Sequence, residues 1–217
     1  MIKKKEVIFL LGMPGSGKGT QGAILSKKLL LPHISVGDIL RGIASGTSED
    51  AEVLNKFMNQ GKLAPVYLVN KVVRDFVLSS KCPDRFIIDG YPRNVEQAKY
   101  FINNIDVSVK VVFFDISEDI AIKRVLGRFS CLCCKKLYNK YFDNTIKEGV
   151  CDICGSTNFI ARGDDNSDVI LLRIEEYKNE TVPAIDYCKK KVEFFTVNAE
   201  QTKDLVQKEL FLITKNI

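Results

Sequence analysis

Residues 9–21, FLLGMPGSGKGTQ, constrain this chain more than any other stretch. Val7–Leu11 is an apolar run with strand character, glycines follow at once, and Gly17 to Leu29 has the pattern of a helix. Between them Gly12–Gly19 matches the spacing G-x-x-x-x-G-K. Glycines there let backbone N–H groups turn inward around a phosphate, and the helix N-terminus adds the positive end of its dipole. Lys18 adds a mobile charge for the outer phosphates of a nucleotide. The motif departs from the general form in one place. A Ser or Thr usually follows the lysine and reaches Mg²⁺ through its hydroxyl. Here Gly19 follows, then Thr20, so magnesium must be held partly by other groups.

The rest of the chain continues in kind. Ile34 and Val36 have strand character, and a helix is expected through Ile39–Ala44. Glu49–Gln60 and Val66–Leu78 are helical, the first closed by Gly61 as a C-cap. RFIID (85–89) is a buried strand, Asn94 caps a helix to about Asn103, and VKVVFFD (109–115) is a long apolar strand. Ser117 starts a helix expected to reach about Arg128. Helical periodicity resumes from Asp165 to Lys191 with an interruption near Pro183, then EFFTV (193–197) is a strand and 203–213 a helix. Strands alternating with helices predict an α/β fold, a parallel sheet flanked by helices.

Length and charge narrow the options. A chain of 217 residues holds one sizeable core, with room for an inserted subdomain. The net charge of +5 is modest, and the short basic runs Lys3–Lys5 and Lys189–Lys191 are expected to be solvated, so charge does not demand a nucleic-acid partner. No apolar run approaches the ~20 residues of a bilayer span. The basic start and short apolar run are not read as a signal peptide, because the run ends in the phosphate loop. A cytoplasmic protein is expected, with its thiols reduced.

Several residues carry chemistry. Asp89 ends the strand at 85–89, as a magnesium-holding carboxylate does beside a phosphate loop. Arg93 follows in a proline-containing turn, and Arg41 follows VGDIL. Arg124 and Arg128 stand four apart and are expected to share a helix face. Arg162 precedes GDDN, and Arg173 lies on the next helix. Six arginines at turns and strand ends suggest a clamp on several phosphates. His33, the only histidine, is expected to be structural.

Residues 130–156, SCLCCKKLYNKYFDNTIKEGVCDICGS, hold five of the seven cysteines. Cys131-x2-Cys134 and Cys151-x2-Cys154 are 16 residues apart and fit a two-knuckle zinc site. Four thiolates leave no open position, so the metal would be structural. Cys133 is expected to be a bystander, and Cys82 and Cys188 ordinary packed thiols. About 30 residues cannot build an independent core, and a metal staple would keep them rigid.

Taken together, GMPGSGKGTQ, ISVGDILR, QGKLAP, IIDGYPRNVEQA, RVLGR, ARGDDN and LLRIEEY, in this order over nearly the whole chain, closely resemble the adenylate kinases. The resemblance implies a phosphate-loop kinase with a central five-stranded parallel sheet and the reaction ATP + AMP ⇌ 2 ADP with Mg²⁺. It implies a core of 1–34, 65–126 and 165–217, a monophosphate-binding part at 35–64, and a zinc-stapled lid at 127–164. ATP would be held by Gly15, Ser16, Gly17, Lys18, Gly19 and Thr20, by Arg128, by backbone near Leu137 and Tyr138, and by Gln201. AMP would meet Val36, Arg41, Lys62, Leu63, Ala64, Gly90, Tyr91, Pro92, Arg93 and Gln97. Arg124, Arg162 and Arg173 would surround the transferring phosphoryl, with Arg162 and Arg173 also on the AMP side. Asp38 and Asp89 would organise magnesium through water. Members of the family usually have STGD where this chain has SVGD, so Val36 replaces a hydroxyl near the base. The partners implied are ATP, AMP and ADP, with no nucleic acid or membrane, and a monomer.

Two rival readings differ in what they leave unexplained. A kinase for UMP or CMP suits Val36 but not the long cysteine lid. A zinc-ribbon nucleic-acid-binding protein with a phosphate loop leaves Arg41, Arg93 and Gln97 without a role.

Overall fold

The computed structural model describes residues 4–79, 82–163 and 165–215. Lys3, part of the first basic run, lies outside them. Strands β1 (Lys5–Gly12), β2 (His33–Ser35), β3 (Arg85–Asp89), β4 (Val107–Asp115) and β8 (Glu193–Asn198) form one parallel sheet in the order β2-β3-β1-β4-β8. From β1 the chain crosses to the edge strand β2, returns through β3 beside β1, and then extends the other side through β4 and β8. That reversal opens a crevice at the carboxyl ends of the strands, where α/β sheets bind ligands.

Alternation along β1 divides the core. Val7, Phe9 and Leu11 face one apolar cluster, while Ile8 and Leu10 face another. The first cluster includes Val69 and Val73 of α4 (Val66–Leu78), Phe101 of α5 (Val95–Asn104) and Ile185 of α8 (Val182–Lys191). The second includes Leu25 of α1 (Lys18–Leu29), Ala121 of α6 (Glu118–Leu126), and Val206 and Leu210 of α9 (Lys203–Lys215). A strand buried on both faces explains the unbroken apolar run at 7–11.

Two helices, α2 (Val36–Ala44) and α3 (Glu49–Asn59), pack together beyond the strand ends. Val36 is not in a strand. The Ser35 hydroxyl accepts from Asp38 N–H and turns the chain into α2 at that residue. Gly61 follows the α3 C-cap, Gln60, with φ of 69°.

The expected helix to Arg128 ends early. α6 stops at Leu126, and Arg128 opens β5 (Arg128–Cys131). Asn139 and Tyr141 return against Gly127 so closely that a Cβ there would lie 2.6 Å from Asn139 Oδ1. Arg124 and Arg128 therefore do not share a helix face. Ser117 makes no side-chain cap; the Glu200 carboxylate accepts its N–H at 2.8 Å instead. From 128 the chain forms a small antiparallel sheet, with β6 (Leu137–Asn139) and β7 (Phe159–Ile160) on either side of β5. Helix α7 (Ser167–Glu176) follows, capped by Asn166, which accepts from Val169 N–H. The α-helix is interrupted next to Pro183, as expected, though the chain stays helical. A π-helical turn over Tyr177–Thr181 leads straight into α8, so the proline sits in the first turn of α8, where its missing N–H costs little.

The second basic run is solvated, but in the first Lys5 is half-buried and its Nζ donates to the Val77 and Cys82 carbonyls at 3.2 and 3.1 Å. Lys4 and Lys189–Lys191 are exposed. Cys82 and Cys188 are buried, and Cys133 is exposed.

Candidate functional site

The loop between β1 and α1 is shaped for an anion. Gly15 has φ of 88°, and a Cβ there would lie 2.4 Å from the Ala121 carbonyl oxygen, so only glycine fits. Ser16 is buried, and its Oγ has no hydrogen-bond partner among the described residues. Gly17 caps α1 in the left-handed region without a side-chain partner, which leaves the helix N-terminus open to a ligand. Gly19 and Thr20 continue into α1. Lys18 lies back along the loop and donates to the Met13 carbonyl at 3.1 Å. Burial lowers its pKa to about 8, with Asp89 opposing and nearby arginines adding to the shift.

Asp89 stands at the end of β3, next to this loop. It is buried, its Oδ1 lacks a hydrogen-bond partner among the described residues, and a Cβ on Gly19 would come within 3.0 Å of its Oδ2. An orphaned buried carboxylate oxygen facing a phosphate loop suits a hydrated Mg²⁺. His33 Nε2 lies 4.0 Å from Asp89 Oδ2, too far to hydrogen-bond. Burial holds His33 below its ordinary pKa against the pull of Asp89 and Asp38, so the ring is neutral packing against Gly22.

Beside the loop lies a cavity of about 110 Å³. Lys18, Arg41, Arg93 and Arg173 line it, as do Lys62, Leu63, Ala64, Gly90 and Pro92. Five cationic side chains, Lys62 among them, converge there from five segments of sequence, one of them the phosphate loop. Leu63 N–H is pinned to Glu176 of α7 at 3.0 Å. A smaller recess adjoins the cavity, lined by Val36, Leu40, Val69 and Gln97 among others. Gln97 is buried, and its Oε1 accepts from Arg93 N–H at 2.8 Å. Its Nε2 donors and the second lone pair of Oε1 remain for a ligand. Tyr91 turns away: its ring packs edge-on against Phe9 and Phe101, and its hydroxyl bonds Asn70 Oδ1 and the Gln97 carbonyl, both at 3.0 Å.

The other arginines are held by carboxylates. Asp38 pairs with Arg41 and lies 3.5 Å from Arg162. Asp165 takes a two-pronged hydrogen bond from Arg128 and lies 3.6 Å from Arg173. Arg124 points elsewhere. It donates to the Ala199 carbonyl at 2.9 Å, and its guanidinium lies 5.5 Å from the Phe142 ring centre, with the phosphate loop at Gly17 nearby. Gln201 donates to Glu209 at 3.3 Å.

The cysteines form a second centre. The sulfur atoms of Cys131, Cys134, Cys151 and Cys154 all lie within 4.8 Å of one another. Cys131 and Cys154 are 3.6 Å apart, and Cys134 and Cys151 3.4 Å. A disulfide would need about 2.05 Å, whereas tetrahedral zinc with Zn–S near 2.3 Å separates its sulfurs by about 3.8 Å. The donor set thus fits a structural metal. Burial opposes ionisation of Cys151, but the Tyr138 hydroxyl and the Cys154 and Ile153 N–H groups outweigh it and bring the thiol to about 6. Tyr138 is buried beside the cluster, so what it can offer a nucleotide is its backbone, not its side chain.

Comparison with known proteins agrees with this geometry. The chain matches the family described as Adenylate kinase over residues 10–193. It is 46% identical to the adenylate kinases of Rickettsia africae (strain ESF-5) and Rickettsia conorii (strain ATCC VR-613 / Malish 7), each over 209 residues, covering 96% of this chain and 99% of the relative. Against the adenylate kinase of Rickettsia prowazekii (strain Madrid E) it is 46% identical over 210 residues with the same coverage. The chain belongs to the adenylate kinase family. It is a phosphotransferase of the nucleoside monophosphate kinase class.

Within an adenylate kinase scaffold, some partners were not foreseen from sequence. Asp165 and Glu176 organise the site without having been singled out, although GDDN directly follows Arg162. Asn139 and Phe142 were missed too. Asn139 Nδ2 donates to the Arg124 carbonyl at 2.7 Å and ties the small sheet to α6. Nothing in a polar segment of this composition signals such a tie.

Proposed function

We propose that the protein catalyses reversible transfer of the γ-phosphoryl group of Mg·ATP to AMP, giving two ADP. The observation that carries this reading is the convergence of Lys18, Arg41, Arg93 and Arg173 on one cavity beside the phosphate loop. The loop and Lys18 bind the ATP phosphates, and Arg41 and Arg93 hold the monophosphate. The recess beside them, with Gln97 as donor, takes the base. Arg124, Arg162 and Arg173 surround the transferring phosphoryl and neutralise its charge, and Arg128 meets ATP from the lid. Asp89 with Asp38 would hold the water shell of a magnesium ion arriving with ATP, which would supply neutralisation of phosphate charge.

No base is required. The acceptor is a phosphate monoester whose second pKa is about 6, so it is largely an anion at neutral pH. The protein's work is in-line positioning and charge stabilisation. A neutral His33 agrees with that division.

Residues 1–34, 65–126 and 165–217 are read as the core, 35–64 as the monophosphate-binding part, and 127–164 as a lid stapled by structural zinc on the four cysteines. The protein is expected to act as a cytoplasmic monomer without nucleic acid. Among the described residues no helix is long and apolar enough to cross a membrane. The alternative acceptors UMP and CMP are favoured by one feature, the apolar Val36 in the base recess.

The test is turnover of Mg·ATP with AMP, UMP, CMP and GMP offered separately. AMP is expected to be strongly preferred. Equal or faster turnover with UMP or CMP would overturn the assignment.

A further inference from the structure

Tyr138 touches the cysteine cluster in a way that its sequence position does not announce. It lies on β6, 4 residues past Cys134 and 13 before Cys151. Its side chain is 3% exposed in a segment with almost no core of its own. The ring stacks on Phe129 of β5, centroids 5.5 Å apart and planes at 19°, and meets Phe159 of β7 edge-on at 5.8 Å. The three aromatic rings and the cysteines are the apolar interior of this small sheet.

The phenol oxygen makes two contacts, and their directions are fixed. It accepts from the backbone N–H of Asp152 at 2.9 Å, and it lies 3.3 Å from Cys151 Sγ. A cysteine that ligates a metal has lost its proton and can only accept. The phenol hydrogen must therefore point at Cys151. Both of the hydroxyl's roles are spent on the second knuckle, one on a ligand and one on the residue after it.

From this we infer that Tyr138 is a positioning residue of the metal centre. Its O–H donates to the Cys151 thiolate and docks the second knuckle on β6. Four thiolates around a divalent ion carry two surplus negative charges, on the Cys151 side in a buried setting. A side-chain donor beyond the knuckle's own N–H groups offsets part of that charge and fixes where Cys151 points. β6 is also the strand whose backbone is read as facing ATP, so one residue ties nucleotide-facing backbone to metal-holding loop. This rests on the four-cysteine metal site proposed above.

The test uses the full-length protein, as wild type, Tyr138→Phe and Phe129→Leu. Tyr138→Phe keeps the ring and its packing but removes the O–H, whereas Phe129→Leu disturbs the packing and leaves the O–H. Zinc affinity is read by competition with a chelating dye, and the thiolate environment by the sulfur-to-metal charge-transfer band after cobalt(II) substitution. Tyr138→Phe should bind zinc about 10–100-fold more weakly. Its cobalt band should move and the Asp152 amide should exchange faster, while Phe129→Leu leaves the band in place. Wild-type affinity and an unmoved band in Tyr138→Phe would overturn the inference. So would an equal band shift in Phe129→Leu, which would assign the effect to packing. A wild-type protein that binds neither zinc nor cobalt would instead remove the metal site itself.

Discussion

Arg128 grips Asp165 with one edge of its guanidinium, Nε donating to Oδ2 at 2.7 Å and Nη2 to Oδ1. The Asp165 side chain is 1% exposed, and Arg173 approaches the same carboxylate at 3.6 Å. One buried carboxylate thus faces two arginines that are read as phosphate ligands. The fork that holds it is the geometry that would hold a phosphate. The pair also joins the start of β5 to the segment leading into α7, the two ends of the inserted sheet. Removing the carboxylate takes a shared partner from both arginines. Asp165→Ala should therefore lower stability by about 3 kcal/mol, the usual cost of breaking a buried pair from one side. Urea unfolding of this variant, Arg128→Ala and the double mutant would measure the coupling. Additive effects would mean that the two residues do not support one another.

Lys18 sets a pH limit on activity and a cost on stability. Its pKa falls from 10.5 to about 8 because burial penalises the cation. Transition-state stabilisation needs the cation, so kcat/KM for Mg·ATP should fall as pH rises through about 8. Between about 8 and 10.5 the unfolded chain keeps a proton that the folded protein has released. Stability from this residue thus rises with pH across that window and is lowest below it. Lys18→Met should melt at a higher temperature than wild type at pH 7, with the gain shrinking through the window. Lys18→Ala should lose about 10²–10³-fold in rate while staying folded. A folded Lys18→Ala with near-normal turnover would contradict the role assigned here.

How much of this was legible in the sequence follows from what each signal depends on. The strand at 7–11 and the loop after it were readable because burial on both faces and G-x-x-x-x-G-K leave few alternatives. The Asn94 cap was readable for a local reason, since its side chain satisfies Gln97 N–H within one turn at 2.9 Å. The end of α6 was not. Whether Arg128 continues a helix is decided by Asn139 folding back on Gly127, a contact 12 residues away in sequence. The interruption near Pro183 was legible, although its form, a π-helical turn just before the proline, was not. In the site, residue types at glycine-rich turns were informative, whereas Asp165 and Tyr138 owe their importance to partners brought in by tertiary contacts.

Val36 gives a prediction about selectivity. It is 1% exposed and walls the recess that also holds Gln97. Val36→Thr keeps the shape and adds a hydroxyl where a base edge would lie. The ratio of kcat/KM for AMP over UMP should rise about 10-fold, the scale of one added polar contact in a pocket. Without substrate the hydroxyl is buried, so a stability loss of about 1 kcal/mol is expected. Steady-state assays with both monophosphates, beside thermal melts, would check the two effects. An unchanged ratio would place base discrimination wholly on Gln97 and the backbone.

The metal supplies the remaining prediction. About one zinc per chain is expected on Cys131, Cys134, Cys151 and Cys154, and none of it on the exposed Cys133. Four thiolates saturate a tetrahedral ion, so it neither binds substrate nor activates water. Its contribution is to folding, since the site exists only when the two knuckles meet. The inserted sheet has few apolar residues to replace it: Cys131, Tyr138 and Cys151 are its buried set, with Phe129, Cys134 and Phe159 packed around them. Cys154→Ser or chelation should therefore loosen residues 129–161 first. The sheet of β1 and β4 has its own core on both faces and should stay protected, with some activity left at low temperature. Cys133→Ser should keep the metal. Metal analysis of each variant, with hydrogen exchange followed separately in 129–161 and in β1, distinguishes these outcomes. Native protein without metal would end the proposal, and loss of zinc on changing Cys133 but not Cys134 would reassign the fourth ligand.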